Sequence, residues 1–232
     1  MTPLAVSLIL GSGSPRRRRL LACLGLPFRV VVPDLDEDLR TTGLTPEQMA
    51  EALAEAKALT IAQHEGAGLV LAADTLVIDG ETVLGKPRDA VEAAAMLRRL
   101  RDREHRVITA LALVDAGRRE LGSAAPPPSG GGIGAAPLAL VDHVTTAVRM
   151  RAYGDDEIAA YIARGEPFDK AGAYAIQDEA FRPVASFDGC YCNVVGLPLR
   201  AVIRLLQQGG VDITDEQLAH LPAECARCPL EV

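Results

Sequence analysis

The chain has 232 residues, enough for one large domain or two small ones. Apolar residues make up 49% and aromatics only 3%, so the core must be built from Ala, Leu, Val and Ile, and an aromatic base-stacking surface for single strands is excluded. A net charge of −7 argues against a general nucleic-acid binder, whose affinity comes from neutralising phosphates, but leaves room for one small basic pocket.

No apolar run approaches the roughly 18 residues of a membrane span, so no membrane partner is expected. Residues 1–10 lack the basic region and cleavage site of a signal peptide. Five cysteines, few and odd in number, argue against a disulfide framework and for a reducing, cytoplasmic setting.

Residues 6–10 form a short apolar run, read as the first strand. Gly11-Ser12-Gly13-Ser14-Pro15-Arg16 follows, with Ser14 suited to an N-cap and Pro15 to the first helical position of a helix stopping near Gly25. Residues 28–32 read as a second strand. Thr45-Pro46-Glu47-Gln48 has the pattern of a capping box and opens a helix to about His64. Residues 69–78 are an apolar strand run ending in the hairpin signal Asp79-Gly80. Asp89, with Glu92 three residues on, opens a helix to about Leu100. Residues 107–114 and 138–149 read as strands. The stretch 117–137 between them, with three prolines and then three glycines in a row at 126–132, reads as a flexible insert. Asp155 is expected to cap a short helix ending at Gly165. Residues 173–176 and 194–195 read as short strands, 198–208 as the final helix, and 210–232 as a tail without strong periodicity. The alternation of helices and strands points to one α/β domain over 1–209.

Chemistry concentrates at a few places. A Gly/Ser loop between strand and helix presents free backbone N–H groups to an anion. Arg16 to Arg19 oppose the helix dipole by about 0.3–1 kcal/mol each, which an anionic ligand would offset. Steps of about 100° per residue prevent all four from pointing one way, and Arg16, nearest the loop, is expected to be the contact. In the run 69–78 only Asp74 and Thr75 are polar, and a carboxylate in a buried strand is costly unless it is paired or used. Lys57 shares an apolar helical stripe with Leu53 and Ile61. It either snorkels to solvent, the ordinary outcome, or points into a cleft. Lys86, held extended by Pro87, offers a point charge or is an ordinary loop lysine. The acidic run 34–38, including Glu37, is a hard-cation candidate or a solvated loop. Asp169-Lys170 is either a surface pair or part of a site. Together these groups fit metal-assisted attack of water on a polyphosphate.

The segments Gly11-Ser12-Gly13-Ser14-Pro15-Arg16-Arg17, Asp36-Glu37, Ala72-Ala73-Asp74-Thr75, Gly85-Lys86-Pro87-Arg88, Gly165 to Tyr174, and Asn193-Val194-Val195-Gly196-Leu197-Pro198, in this order over about 4–208, resemble the Maf family of nucleoside triphosphate pyrophosphatases. The resemblance implies an α/β fold with an elongated, bent mixed sheet flanked by helices around a central cleft, similar to inosine triphosphate pyrophosphatases. It implies hydrolysis of a nucleoside triphosphate to the monophosphate and pyrophosphate with a divalent cation, Mg²⁺ or Mn²⁺, in the cytoplasm. Asp74 matches the proton acceptor. Ser12, Arg16, Lys57 and Lys86 match phosphate-side contacts, Asp169 and Lys170 lie in a substrate-binding motif, and Glu37 with Asp74 matches the cation ligands. Arg16, Thr75 and Gln177 match the specificity positions of the subgroup acting on dTTP and UTP. The rival readings are a pyrophosphatase for modified nucleotides such as 7-methyl-GTP, and a non-catalytic nucleotide-binding regulator of division. A nucleoside triphosphate is the expected partner, with no nucleic acid, and a homodimer is compatible with the sequence.

Two departures from the family pattern stand out. Asp178 replaces a common Gly beside Gln177, where a carboxylate is placed to bend or repel at the base pocket. Cys190-Tyr191-Cys192 replaces a common Ser-Tyr-Ser. With Cys225-x-x-Cys228 this makes four thiols, the number a structural zinc site needs. An extended segment would send Cys190 and Cys192 to opposite sides, so free thiols are the expectation.

Overall fold

Capping side chains set where the helices begin in the computed structural model, which describes residues 7–34, 43–119 and 137–229. Strand β1 (Leu8–Gly11) runs into helix α1 (Pro15–Ala22), where the Ser14 hydroxyl accepts from the Arg17 amide at 3.4 Å. After β2 (Phe28–Val30), Thr45 and Gln48 exchange bonds of 3.0 and 3.3 Å and start α2 (Pro46–Glu65), which Gly66 ends at φ +67°. Strand β3 (Leu69–Asp79) turns through Asp79-Gly80 into β4 (Thr82–Leu84), and Asp89 caps α3 (Ala90–Leu100). The long hairpin β5 (Glu104–Arg119) and β6 (Pro137–Met150) is followed by α4 (Asp155–Ala163), β7 (Val184–Asp188), α5 (Tyr191–Val195), α6 (Leu199–Gln208) and α7 (Asp215–Ala219).

The seven strands make one mixed sheet in the order β2-β1-β3-β5-β6-β7, with β4 paired to β3. β1 is parallel to β2 and β3, and β3 through β7 pair antiparallel. Helices lie against the sheet, as the mixed α/β expectation requires. On one face α2 packs its Ala50, Leu53, Ala54 and Ile61 onto Ile9, Val70, Ala72 and Ile108. The contact is close enough that a Cβ on Gly11 would stand 2.8 Å from Ile61 Cδ1, so the strand must end in glycine there. On the other face Leu10, Leu71 and Leu111 meet Leu21 of α1 and Val202, Leu205 and Leu206 of α6. Each such side chain contributes about 1.5–3 kcal/mol by burial. A third cluster joins α3 and α4 through Leu97, Leu100, Tyr153, Tyr161 and Phe181. Since β3 is covered on both faces, it reads as a nearly unbroken apolar run, and its two polar residues are conspicuous.

Several expectations are corrected. Residues 173–176 are not a strand: a 3₁₀ turn covers Ala171–Ala173, with Ala173 itself at φ +61°. Val194 and Val195 end α5 rather than forming a strand, because Asn193 is bonded into the sheet and Gly196 at φ +117° stops the helix. α4 is capped by the Glu157 carboxylate, which accepts from the Gly154 amide at 2.8 Å, while Asp155 bonds Arg98 and Arg101. Strand β7 went unread because most of its residues are exposed, which hides the apolar alternation. Residues 117–119 and 137 of the expected insert continue the β5–β6 ladder as far as the pair Arg119–Pro137, and 120–136 lie outside the described residues. The tail holds α7 and a 3₁₀ turn at Ala223–Arg227, and packs Val211, Ile213, Leu218 and Leu221 on the core.

Candidate active site

The loop after β1, the middle of α2 and β3, the segment after β4, and the turns around 169–177 converge on one cleft of about 530 Å³. Ser12, Arg16, Arg17, Lys57, Asp74, Thr75, Lys86, Asp169, Lys170 and Gln177 all line it. Five cations thus face two carboxylates, three positive charges in excess within a chain of net charge −7. Glu37 lies outside the described residues.

The two polar residues of β3 point to opposite faces, as strand geometry requires. Asp74 faces α2, where Lys57 Nζ donates to its Oδ1 at 2.6 Å. Both side chains are about nine-tenths buried, at 9% and 11% exposure, so the attraction offsets the loss of water around each. Lys57 therefore points into the cleft and does not snorkel to solvent.

Thr75 faces α1 and α5. Its hydroxyl accepts from Arg17 Nη2 at 3.0 Å and shares a 2.9 Å bond with Thr109, its register partner on β5. Arg17 also donates to the Gly196 carbonyl at 2.8 Å and to the Ser12 hydroxyl at 3.3 Å. Behind them Asn193, fully buried, accepts from the Thr109 amide at 3.0 Å and donates to the Val107 carbonyl at 3.0 Å and the Thr146 hydroxyl at 2.8 Å. This amide ties α5 to the sheet and so positions Gly196. Sequence reading missed the roles of Arg17, Thr109 and Asn193. Asn193 could have been found as the single amide ahead of an apolar Val-Val pair.

Arg16 leans the other way, toward Asp169, with bonds of 2.7 Å to Oδ2 and 3.2 Å to the carbonyl. Lys170 bonds the same carboxylate at 2.6 Å and the Glu166 side chain and carbonyl. Burial pulls the Asp169 carboxyl up, but Lys170 and Arg16 outweigh it and hold the group below the usual carboxylate range. Lys86 and Gln177 line the cleft nearby.

Asp178 does not line the cleft beside Gln177, which corrects the expectation of repulsion there. Its carboxylate accepts from Arg164 at 2.8 and 3.0 Å and from the Phe181 and Ala180 amides at 2.7 and 3.2 Å. Burial opposes its charge, yet these donors leave the carboxyl below its ordinary range. Asp178 is thus a staple for the turn that carries Gln177. Tyr174 also lines the cleft, and its hydroxyl shares a 2.8 Å bond with His105 Nε2. Burial pushes that imidazole down to about 4, so the ring is neutral at pH 7.

Among the described residues no helix is long and apolar enough to cross a membrane. The family model described as Maf-like protein matches residues 7–209. The dTTP/UTP pyrophosphatase of Thermomicrobium roseum is 50% identical over 225 residues, covering 97% of this chain and 94% of that one. The dTTP/UTP pyrophosphatase of Moorella thermoacetica is 46% identical over 206 residues, covering 89% and 96%. A more distant likeness is to a HAM1 protein structure from Coxiella burnetii, 16% identical with a TM-score of 0.47 over 88% of this chain and 99% of that one. A family match over nearly the whole chain, with relatives at this identity, makes the chain a member of the Maf-like family.

Proposed function

We propose that this protein hydrolyses pyrimidine nucleoside triphosphates, dTTP and UTP, to the monophosphate and pyrophosphate. The observation that carries the reading is one buried carboxylate, Asp74, at the floor of a cleft walled by Arg16, Arg17, Lys57, Lys86 and Lys170. The names of the relatives support the substrate class.

Lys57 holds the Asp74 carboxylate in one orientation, and Asp74 accepts the proton of the attacking water. Attack at the α-phosphorus breaks the bond to the β-phosphate and releases pyrophosphate. Arg16, Lys86 and Lys170 face the charge that develops on the leaving oxygens, in a site where preorganised donors act at low dielectric. Gln177, on its stapled turn, offers both a donor and an acceptor to the edge of a pyrimidine.

A divalent cation, Mg²⁺ or Mn²⁺, fits this donor set. Such ions are commonly held by one or two carboxylates plus substrate phosphates and waters. Asp74 is a cleft carboxylate bonded to a lysine rather than an arginine fork, and with the triphosphate it would hold the ion; Glu37 is the proposed further ligand. When bound, the cation withdraws charge from the phosphoryl oxygens. The free cysteines support a cytoplasmic setting, and the reading needs neither nucleic acid nor membrane and is compatible with a homodimer.

The test is pyrophosphate release across common and methylated triphosphates. The expected outcome is turnover of dTTP and UTP above the purine and methylated substrates. Release of orthophosphate with a nucleoside diphosphate would overturn the reading.

A further inference from the structure

Four of the five cysteines meet at the start of α5, whose far end walls the cleft through Val194 and Val195. Cys190 precedes the first turn of α5 and Cys192 lies in it, while Cys225 and Cys228 sit at the 3₁₀ turn of the tail. Cys190, Cys192 and Cys225 share one buried cluster with Cys228 packed against it, the Cys190 thiol lies beside those of Cys192 and Cys228, and Cys192 Sγ stands 2.9 Å from Cys225 Sγ. The thiols form one unbroken series, Cys228, Cys190, Cys192, Cys225, which joins the two segments twice. Cys190, Cys192 and Cys225 are buried and Cys228 is half-buried. The helical turn thus corrects the expectation that an extended segment would send Cys190 and Cys192 to opposite sides.

We propose that these four cysteines form a structural Zn²⁺ site that clamps the tail to the core. Four thiolates in a closed tetrahedral set are a standard ligand arrangement for structural zinc, and a C-x-x-C pair on a tight turn is a common half of one. The turn is present here, with the Cys228 amide donating to the Cys225 carbonyl at 3.2 Å. The first pair is held rigidly: the Cys190 amide donates to Thr146 Oγ1 at 3.0 Å, and Asn193 fixes the next turn. Arg200, bonded to the Cys225 carbonyl at 3.0 Å, brings a positive charge beside the cluster.

The tail's other hold on the core is a set of partly buried side chains, Val211, Ile213, Leu218 and Leu221. Within 211–229 no residue of α7 is buried, and Cys225 is the single buried apolar side chain among its described residues. Bonds to a metal would add to that partly buried contact. Cys192 and Cys225 stand closer here than two ligands of one zinc ion would, and among the described residues no three His, Cys, Asp or Glu side chains are arranged to hold a metal. With Zn–S bonds of about 2.3 Å, tetrahedral sulfurs lie about 3.8 Å apart, so the Cys192–Cys225 pair must open by roughly 0.9 Å. Zinc entry forms four Zn–S bonds as the thiol protons leave to solvent, and nothing is oxidised. A disulfide across the closest pair would need an oxidant and would leave Cys190 and Cys228 unused.

Metal analysis after zinc loading and gel filtration tests the proposal. About one zinc per chain is expected, retained in Cys23→Ser and in Asp74→Asn, and lost in Cys225→Ser/Cys228→Ser. Cobalt loaded in its place should give intense thiolate-to-cobalt charge-transfer bands, and stripping the metal should lower the melting temperature of the parent chain but not of the double variant. If the double variant fails to fold, the cobalt spectrum of the parent chain and of Cys228→Ser, which should weaken, decides the question. A chain that keeps no zinc while all five thiols react, or whose mass is lower by the two hydrogens of a disulfide, overturns the proposal.

Discussion

The two faces of β3 solve the problem of a buried polar residue differently. On the α2 face Asp74 meets a full opposite charge, Lys57, at 2.6 Å. On the α1 face Thr75 joins hydroxyls, an amide and backbone carbonyls, with the Arg17 guanidinium as the one cation bonded to it. Removing one member of a buried ion pair costs about 3–5 kcal/mol, because it strands a charge. A neutral hydrogen bond such as Thr75–Thr109 is worth about 0.5–1.5 kcal/mol net, and one to a charged group such as Arg17 about 1.5–3 kcal/mol. The charged face is thus where chemistry is available and where substitution is punished. The Thr75 face positions Gly196, Arg17 and the cleft wall.

Asp74→Asn keeps the shape and removes both the base and the charge. Its kcat for dTTP should fall by about 10²–10⁴-fold, with the fold retained by circular dichroism. Near-normal turnover in a folded variant would make Asp74 purely structural. Lys57→Met should lower unfolding free energy by about 3 kcal/mol, the low end for a buried pair because the cleft admits water. Adding Asp74→Asn to it should restore much of that loss; strictly additive losses in urea titrations would show that the two groups are not coupled.

His105 is a separate buried group, bonded to Tyr174. Its ring titrates near 6.5 when unfolded and at about 4 when folded. Between those values the unfolded chain binds the extra proton, so this stability is fully present above pH 6.5 and falls on acidification by roughly 3 kcal/mol at pH 4. His105→Gln should flatten that slope in urea midpoints measured across the window, and an unchanged slope would assign it to other groups. The smallest effect concerns base choice. Gln177→Ala should cost dTTP and UTP about 1–3 kcal/mol in kcat/KM relative to a purine triphosphate. Equal loss on every substrate would leave Gln177 with a role in folding alone.

Local signals were legible in the sequence where local physics decides. The caps of α1, α2 and α3 are short-range hydrogen bonds between residues three apart, and each was readable. Asp74 and Thr75 stood out because β3 is covered on both faces. The fate of the arginine run was not readable. Arg16 bonds a residue 153 positions away and Arg17 one 179 away, so only the assembled fold sorts them. The Val-Val pair at 194–195 has strand propensity, yet tertiary bonds from Asn193 place it in a helix. That one misreading also hid the thiol cluster.

Hydrolysis of dTTP in heavy-oxygen water, with mass analysis of both products, tests most directly whether water enters at the α-phosphorus beside Asp74. The account predicts one heavy oxygen in the monophosphate and none in the pyrophosphate; label in the pyrophosphate or in orthophosphate would contradict it.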